Sequence, residues 1–487
     1  MTESIAQPRQ GERGGVVPIS GPTSEETLQA LRQDLRQLSS RWAVARAPAP
    51  RGLARRLLET PIGCAVGWNP GGHANAGEPD QGTAFIGLDA VATFRAEGPE
   101  RLPRLREELE RFTAESPELL GIPGLRAFGG VSFEPQVEGD WSVFGAGLLV
   151  LPRLLYVDRS DRAELLLLTP PHEVESSLAF AESALRGAVE QRSAVEQSGA
   201  SSQSAAGESG GSEPSQTRVR SESTSLDRAG FCELVERIRA GIERGDFTKV
   251  VAARSLHLEL TEAPRLAEFL ARLREVEPSA ARFLLRLGDS RFVGATPERL
   301  VRKRGLQVET EAVAGSISTQ LEGAGERLLG STKDQAEHRV VVAAIREALA
   351  ELVAWEPNGE PRLRALRRIL HLHTPLTGEL HEARHVLDLV ERLHPTPAVG
   401  GHPRQAALAF LRANEPGSRG WYAAPFGWVD LHGDGEFVVA LRSALLHGER
   451  AQVFAGAGIV RDSRGEDEYA ETELKMSAML AALGLRS

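Results

Sequence analysis

Between residues 194 and 226 the chain carries almost no large apolar side chain; Ser201-Ser202-Gln203-Ser204 and Gly210-Gly211-Ser212 sit among Glu and Gln. Such a stretch cannot bury enough surface to offset the entropy of ordering it, so it reads as a flexible linker or surface insertion. Any core must therefore be assembled from the flanking parts, 23–193 and 227–487. The stretch either separates two domains or interrupts one whose halves share a core, and composition does not choose between them. Residues 1–22, rich in Gly, Pro, Gln and Arg, read as a disordered tail.

The first flank opens on a capping box, Thr23-Ser24-Glu25-Glu26, followed by a helical stripe of Leu28, Leu31, Leu35 and Leu38. From about Arg51 the pattern changes to short β-like runs with Gly and Pro punctuation: 63–68, 84–88, 126–130 and 147–151. One helical segment, 97–116, interrupts them. Many strands with few helices predict a large, mostly antiparallel sheet system. The second flank mixes both types. Helices are expected at 225–244, 266–275, 332–352, 383–393, 403–411 and 466–483. Strands are expected at 249–258, 283–287, 291–295, 308–314, 428–431, 436–445 and 452–458.

Several polar residues break this second pattern. Lys249 opens an apolar strand; solvated it is ordinary, buried it becomes a usable base. Glu298 follows Pro297 on a turn, either as a surface glutamate or as a carboxylic acid held at a cleft edge for proton donation. Glu337 stands where its helix turns apolar, a salt-bridged residue or a ligand. In the last helix Glu468, Glu471 and Lys475 fall at i, i+3 and i+7, on one face. That face is either solvated or able to hold a hard cation beside an anionic ligand. Glu473 faces elsewhere and reads as ordinary surface. The loop 393–403 is too rigid and apolar for a simple linker, and Gly456-Ala457-Gly458 ends a strand where backbone N–H groups can meet an anion. His371 and His373 share a strand face, but no third ligand clusters with them, which argues against zinc.

Taken in order, these segments resemble the chorismate-utilising enzyme family, which includes isochorismate, salicylate, anthranilate and aminodeoxychorismate synthases. The likeness runs through 249–254, 293–298, 336–338, 394–401, 440–442, 456–460 and 468–472, over half the chain. It implies an α/β fold of the α+β type. One large domain of stacked, mainly antiparallel sheets is flanked by helices, and the Ser-rich segment is an insertion within it. It implies Mg2+ held by Glu337 and Glu471, with Glu468 as a third carboxylate, direct or through water. Lys249 is then the base and Glu298 the acid. Arg442 and the Gly456 backbone bind an anionic group of chorismate; Tyr422, Lys475 and His371 line or orient the pocket. Ala398 stands where ammonia-using and salicylate-forming members tend to carry Thr, and Ala314 where aminodeoxychorismate enzymes can carry a lysine nucleophile. Within the family the pattern is most similar to the isochorismate synthases; Ser316 and the long insertion depart from it. Salicylate synthase, an ammonia-using component and a catalytically silent homologue are the alternatives. No amidotransferase subunit is required on this reading.

Charge and cysteine content narrow the class further. A net charge of −10, spread along the chain, argues against nucleic-acid binding. Cys64 and Cys232, the only cysteines, are far apart and form neither a disulfide framework nor a thiolate metal site. No apolar run approaches the length of a membrane span, and the first residues lack a signal-like apolar core. A cytoplasmic, soluble enzyme is expected.

Overall fold

The computed structural model describes residues 20–61, 63–71, 83–200, 218–357, 359–365 and 369–485. Two sheets diverge from one long ribbon. Strands Ala84–Ala96 and Gly147–Asp158 pair from Ala84↔Asp158 to Ala96↔Gly147, with a register shift between Ala90 and Ala92. Past that irregularity the second strand changes its other partner. Its Leu154–Asp158 half takes Ala163–Thr169, and its Gly147–Val150 half takes Arg126–Val131. A bulge bends a strand and increases its twist, which lets one ribbon feed two layers.

The first layer runs from the ribbon through Cys64–Asn69, Ala281–Leu287, Ser290–Thr296, Ser443–His447 and Arg450–Ile459 to Lys249–Leu260. The second runs through Arg126–Val131, Pro425–Asp430, Gly435–Val439, Arg299–Arg304 and Gln307–Ser318 to Ile369–Leu380. Every one of these pairings is antiparallel. Both flanks of the Ser-rich stretch contribute to both layers. Aromatic residues fill the space between them: Phe283 of the first layer stacks on Phe426 of the second with ring centres 4.8 Å apart, and Phe292 and Trp421 pack alongside. Burying one such ring is worth roughly 1.5–3 kcal/mol.

Helices cover the outer faces. Ser24–Asp34 begins at the expected capping box, with Thr23 and Glu26 bonded reciprocally, and ends before Leu35 and Leu38. Arg101–Glu115 and Val386–Leu393 pack on the second layer's side. Arg228–Arg244 is capped by Asp227 and buries Phe231, Leu234, Ile238 and Ile242 against Lys249–Leu260. Gly465–Ala482 lies on Arg450–Ile459.

Two expectations need correction. The Ser-rich segment is ordered at both ends: the helix Val174–Ala200 enters it, and Val219–Thr224 is an exposed edge strand paired with Leu256–Leu260. Only 201–217 of it lies outside the described residues, as does 1–19 of the expected tail. Second, 436–445 is not one strand. Gly435–Val439 belongs to the second layer and Ser443–His447 to the first, and the chain crosses between them at Ala440–Arg442. The strand Arg299–Arg304, absent from the expectations, pairs in the second layer, so a parallel crossing occurs at Pro297–Glu298.

Candidate active site

The two crossings lie side by side. Val439 N–H donates to the Glu298 carbonyl at 3.0 Å, and Ala295 N–H to the Arg442 carbonyl at 3.1 Å. A strand that changes sheet leaves its ladder for a residue or two; here Ala440 stays in the core while the Glu298 and Arg442 side chains line a pocket. Arg442 adopts φ +45°, a conformation a non-glycine residue holds only when its surroundings impose it. Glu298 and Arg442 thus face one pocket. It is also lined by Lys249, Ser316, Glu337, His371, Ala398, Arg419, Tyr422, Gly456, Glu471 and Lys475.

Each group has a defined electrostatic setting. Burial, then the nearby Glu311 carboxylate, pushes Glu298 up to about 8, against the pull of Lys249, Arg364 and Lys475. Its backbone N–H donates to Thr296 Oγ1 at 3.2 Å. Lys249, on the first residue of its strand, is buried and donates from Nζ to Glu337 Oε1 at 2.6 Å. Burial opposes ionisation of Glu337, but Lys249, with Lys333 and Lys475, holds its carboxyl below the usual range. The neighbouring His338 is buried and bonds Thr374 Oγ1 at 2.8 Å, which pins the Glu337 helix, Thr332–Ala348, to Ile369–Leu380. Gly458 makes room here: a Cβ at that position would stand 3.0 Å from Lys249 Cε and 3.2 Å from Glu337 Oε1.

Opposite, Arg442 Nη1 donates to Glu277 Oε1 at 2.5 Å and Nη2 approaches His371 Nε2 at 3.4 Å. A guanidinium only donates, so that ring nitrogen is the acceptor, and Nδ1 carries the proton 2.9 Å from Ser316 Oγ. Burial, then Arg442 and Lys475, keeps His371 well below its usual range, so it is neutral. Tyr422 stacks on Phe454 with ring planes 12° apart, and burial raises its phenol.

The last helix contributes Glu471 and Lys475, joined at 2.7 Å; Lys475 also donates to the Gly456 carbonyl at 2.8 Å. The strand carrying Gly456 continues to Ile459 rather than ending at Gly458. Glu468 is buried one turn before Glu471 but does not line the pocket. Burial, then the Glu471 charge, pushes it up to about 7. Glu473 is exposed, yet it pairs with the buried Arg254 and is more than bare surface.

Among the described residues no three His, Cys, Asp or Glu side chains form a ready-made metal-ligand group. The donor set nonetheless suits a hard cation. Glu337 and Glu471 face one pocket, each holding a lysine, and the buried Glu468 beside the half-buried Glu471 carries a repulsion that a cation would relieve. His371 and His373 differ in setting: the first lines the pocket, the second bonds Glu311 at 2.9 Å.

Sequence reasoning missed Arg419. It is buried against the pocket and bonds Glu415, the Val399 carbonyl at 2.9 Å and the Val251 carbonyl at 2.7 Å, tying the 394–401 loop to the Lys249 strand. Its only signal, a Glu four residues earlier, is indistinguishable from a surface pair.

A profile of chorismate binding enzymes matches residues 72–484. The chain belongs to the chorismate-binding enzyme family. Among curated members, a salicylate biosynthesis isochorismate synthase of Pseudomonas aeruginosa is 36% identical over 82% of this chain and 83% of its own length. Isochorismate synthase MenF of Bacillus subtilis is 32% identical over 84% and 87%. The solved structure of MenF, the menaquinone-specific isochorismate synthase from Escherichia coli, superimposes with a TM-score of 0.75 at 26% identity. It covers 94% of this chain and 99% of that one. Anthranilate synthase component I of Streptococcus pneumoniae, at TM-score 0.63 and 22% identity, covers 83% and 93% and shares the fold. Like those family members, this one is an α+β protein of stacked antiparallel sheets. No helix among its described residues is long and apolar enough to cross a membrane.

Proposed function

We propose that the protein is a Mg2+-dependent isochorismate synthase, converting chorismate to isochorismate in the cytosol for menaquinone or siderophore synthesis. The observation that carries this reading is a buried carboxyl, Glu298, kept protonated at neutral pH, and a lysine, Lys249, facing the same pocket. The reaction adds water at C2, shifts the ring double bonds and expels the C4 hydroxyl. Hydroxide leaves poorly, so the departing oxygen needs a proton, and a carboxyl with a value near 8 holds one to give. Lys249 takes the proton of the attacking water once its own amine is neutral. The Glu337 carboxylate is the group touching it.

Arg442 and the lysines supply the positive lining for the substrate's carboxylates. Mg2+, when bound to Glu337 and Glu471 with help from Glu468, adds a Lewis-acidic charge for a substrate carboxylate. Neutral His371, held between Arg442 and Ser316, orients the guanidinium without adding a competing charge. Ala314 and Ala398 line the pocket and carry no nucleophile, which favours water as the attacking group.

Purified protein incubated with chorismate and Mg2+ tests the reading. Isochorismate in equilibrium with chorismate supports it. Salicylate plus pyruvate, or anthranilate on adding ammonium, replaces it, and no turnover refutes it. Two variants probe the binding groups. Arg442→Lys loses the planar fork and is expected to raise KM for chorismate by about tenfold or more, with a smaller change in kcat. Glu337→Gln and Glu471→Gln are each expected to weaken Mg2+ at least about tenfold by calorimetric titration, whereas Glu473→Gln leaves it within about twofold.

A further inference from the structure

Behind Glu298 lies a buried cluster that the reaction scheme does not use. Glu311, on Gln307–Ser318, is 6% exposed and accepts both arms of Arg364: Nη1 to Oε1 at 2.7 Å and Nη2 to Oε2 at 2.7 Å. The same pair also reaches the backbone around the acid. Arg364 Nη1 also donates to the Pro297 carbonyl at 2.7 Å, and Arg299 N–H donates to Glu311 Oε1 at 2.7 Å. One ion pair therefore holds the peptide groups immediately before and immediately after Glu298. His373 Nε2 closes the cluster, 2.9 Å from Glu311 Oε2 and 2.8 Å from Arg364 Nη2.

We propose that the Arg364–Glu311 pair is a positioning device for the acid, clamping the chain on both sides of Glu298 and so setting where its carboxyl meets the substrate. The proposal rests on reading Glu298 as the proton donor. The Glu298 backbone itself meets Thr296 Oγ1 and the Val439 N–H, and the ion pair adds a hold on the peptide groups to either side; a misplacement of about 1 Å can cost 10²-fold in rate. A bidentate guanidinium–carboxylate pair is the geometry that gives a rigid strut, and its third contact, to Pro297, transmits that rigidity to the acid. Glu311 has a second consequence. Among the charged and titratable groups facing Glu298, namely Glu311, Lys249, Arg364, Lys475 and Tyr422, Glu311 is the carboxylate that opposes ionisation.

The bland alternative is that the cluster only staples the edge strand Arg362–Ala365 onto Ile369–Leu380, with which it pairs at Arg364↔His371. Kinetics separate the two. Glu311→Gln is expected to lower kcat about tenfold or more with KM within about threefold, and to move the basic limb of kcat down by about one pH unit. Arg364→Lys keeps the charge but cannot span Pro297 and both Glu311 oxygens. It is expected to lower kcat about tenfold with the limb in place. Wild-type kcat in a folded Glu311→Gln, or in a folded Arg364→Lys, overturns the clamp, and the second decides alone should Glu311→Gln not fold; an unchanged limb in Glu311→Gln overturns only its electrostatic effect on Glu298. Glu298→Gln run alongside keeps the two readings apart. If it stays active, the acid assignment fails; if it is inactive while Glu311→Gln and Arg364→Lys turn over like wild type, the clamp alone fails.

Discussion

Glu298→Gln is expected to lower the rate of isochorismate formation by about 10²–10⁴-fold, with KM for chorismate within about threefold. The amide keeps the shape and the burial but has no acidic proton for the C4 hydroxyl. The pH profile carries the same claim. Glu298 holds its proton below about 8, so wild-type kcat should fall as pH rises through that value, while the residual rate of the variant stays flat there. Stability of the wild type should fall over the same rise in pH. The folded-state value is raised above the usual 4.5, so the favourable contribution of this carboxyl is complete below the usual value and is lost as pH rises through about 8. At pH 8.5 the wild type must hold a buried charge that Gln never acquires. Thermal unfolding of the variant at that pH is therefore expected at or above the wild-type temperature. A variant that turns over chorismate at the wild-type rate would sink the acid assignment.

What could be read from the chain alone follows from which signals are local. Phe231, Leu234, Ile238 and Ile242 repeat at helical spacing and are buried on one face, and the Thr23–Glu26 box closes as its spacing predicts. Val219–Thr224 escaped notice because it is an exposed edge strand, polar at every position after Val219, and so shows no apolar alternation. The break at Ala440–Arg442 lies inside an apolar run whose pattern continues on both sides; the strand pairings to either side, with the positive φ of Arg442, reveal that the chain changes layer there. At the site, the residue types were legible and their surroundings were not. Glu468 and Glu471 share a helical face, yet the pocket meets only the second. Arg364 finds Glu311 across two strands paired by tertiary register, at a separation where spacing in the sequence says nothing. Arg419 is missed for the same reason.

Lys249→Ala is expected to match the loss in Glu298→Gln, about 10²–10⁴-fold in kcat, and to add a stability defect that Glu298→Gln lacks. The difference comes from the partner. Lys249 Nζ lies 2.6 Å from Glu337 Oε1, with side-chain exposures of 4% and 13%. Removing the ammonium strands a carboxylate that burial already opposes. Breaking a buried pair in this way costs about 3–5 kcal/mol, and the partial exposure of Glu337 puts the expectation near the lower end, about 3 kcal/mol by urea unfolding. Removing both partners should behave differently. In the double variant Lys249→Ala with Glu337→Gln, no uncompensated charge remains, so most of the stability should return while turnover stays lost. The two readouts then part company. If the double variant regains activity together with stability, Lys249 serves only to neutralise Glu337 and the base must be sought elsewhere in the pocket. If it regains stability alone, Glu337→Gln assayed by itself at saturating Mg2+ separates the causes: turnover there that the double variant lacks assigns the chemistry to the lysine.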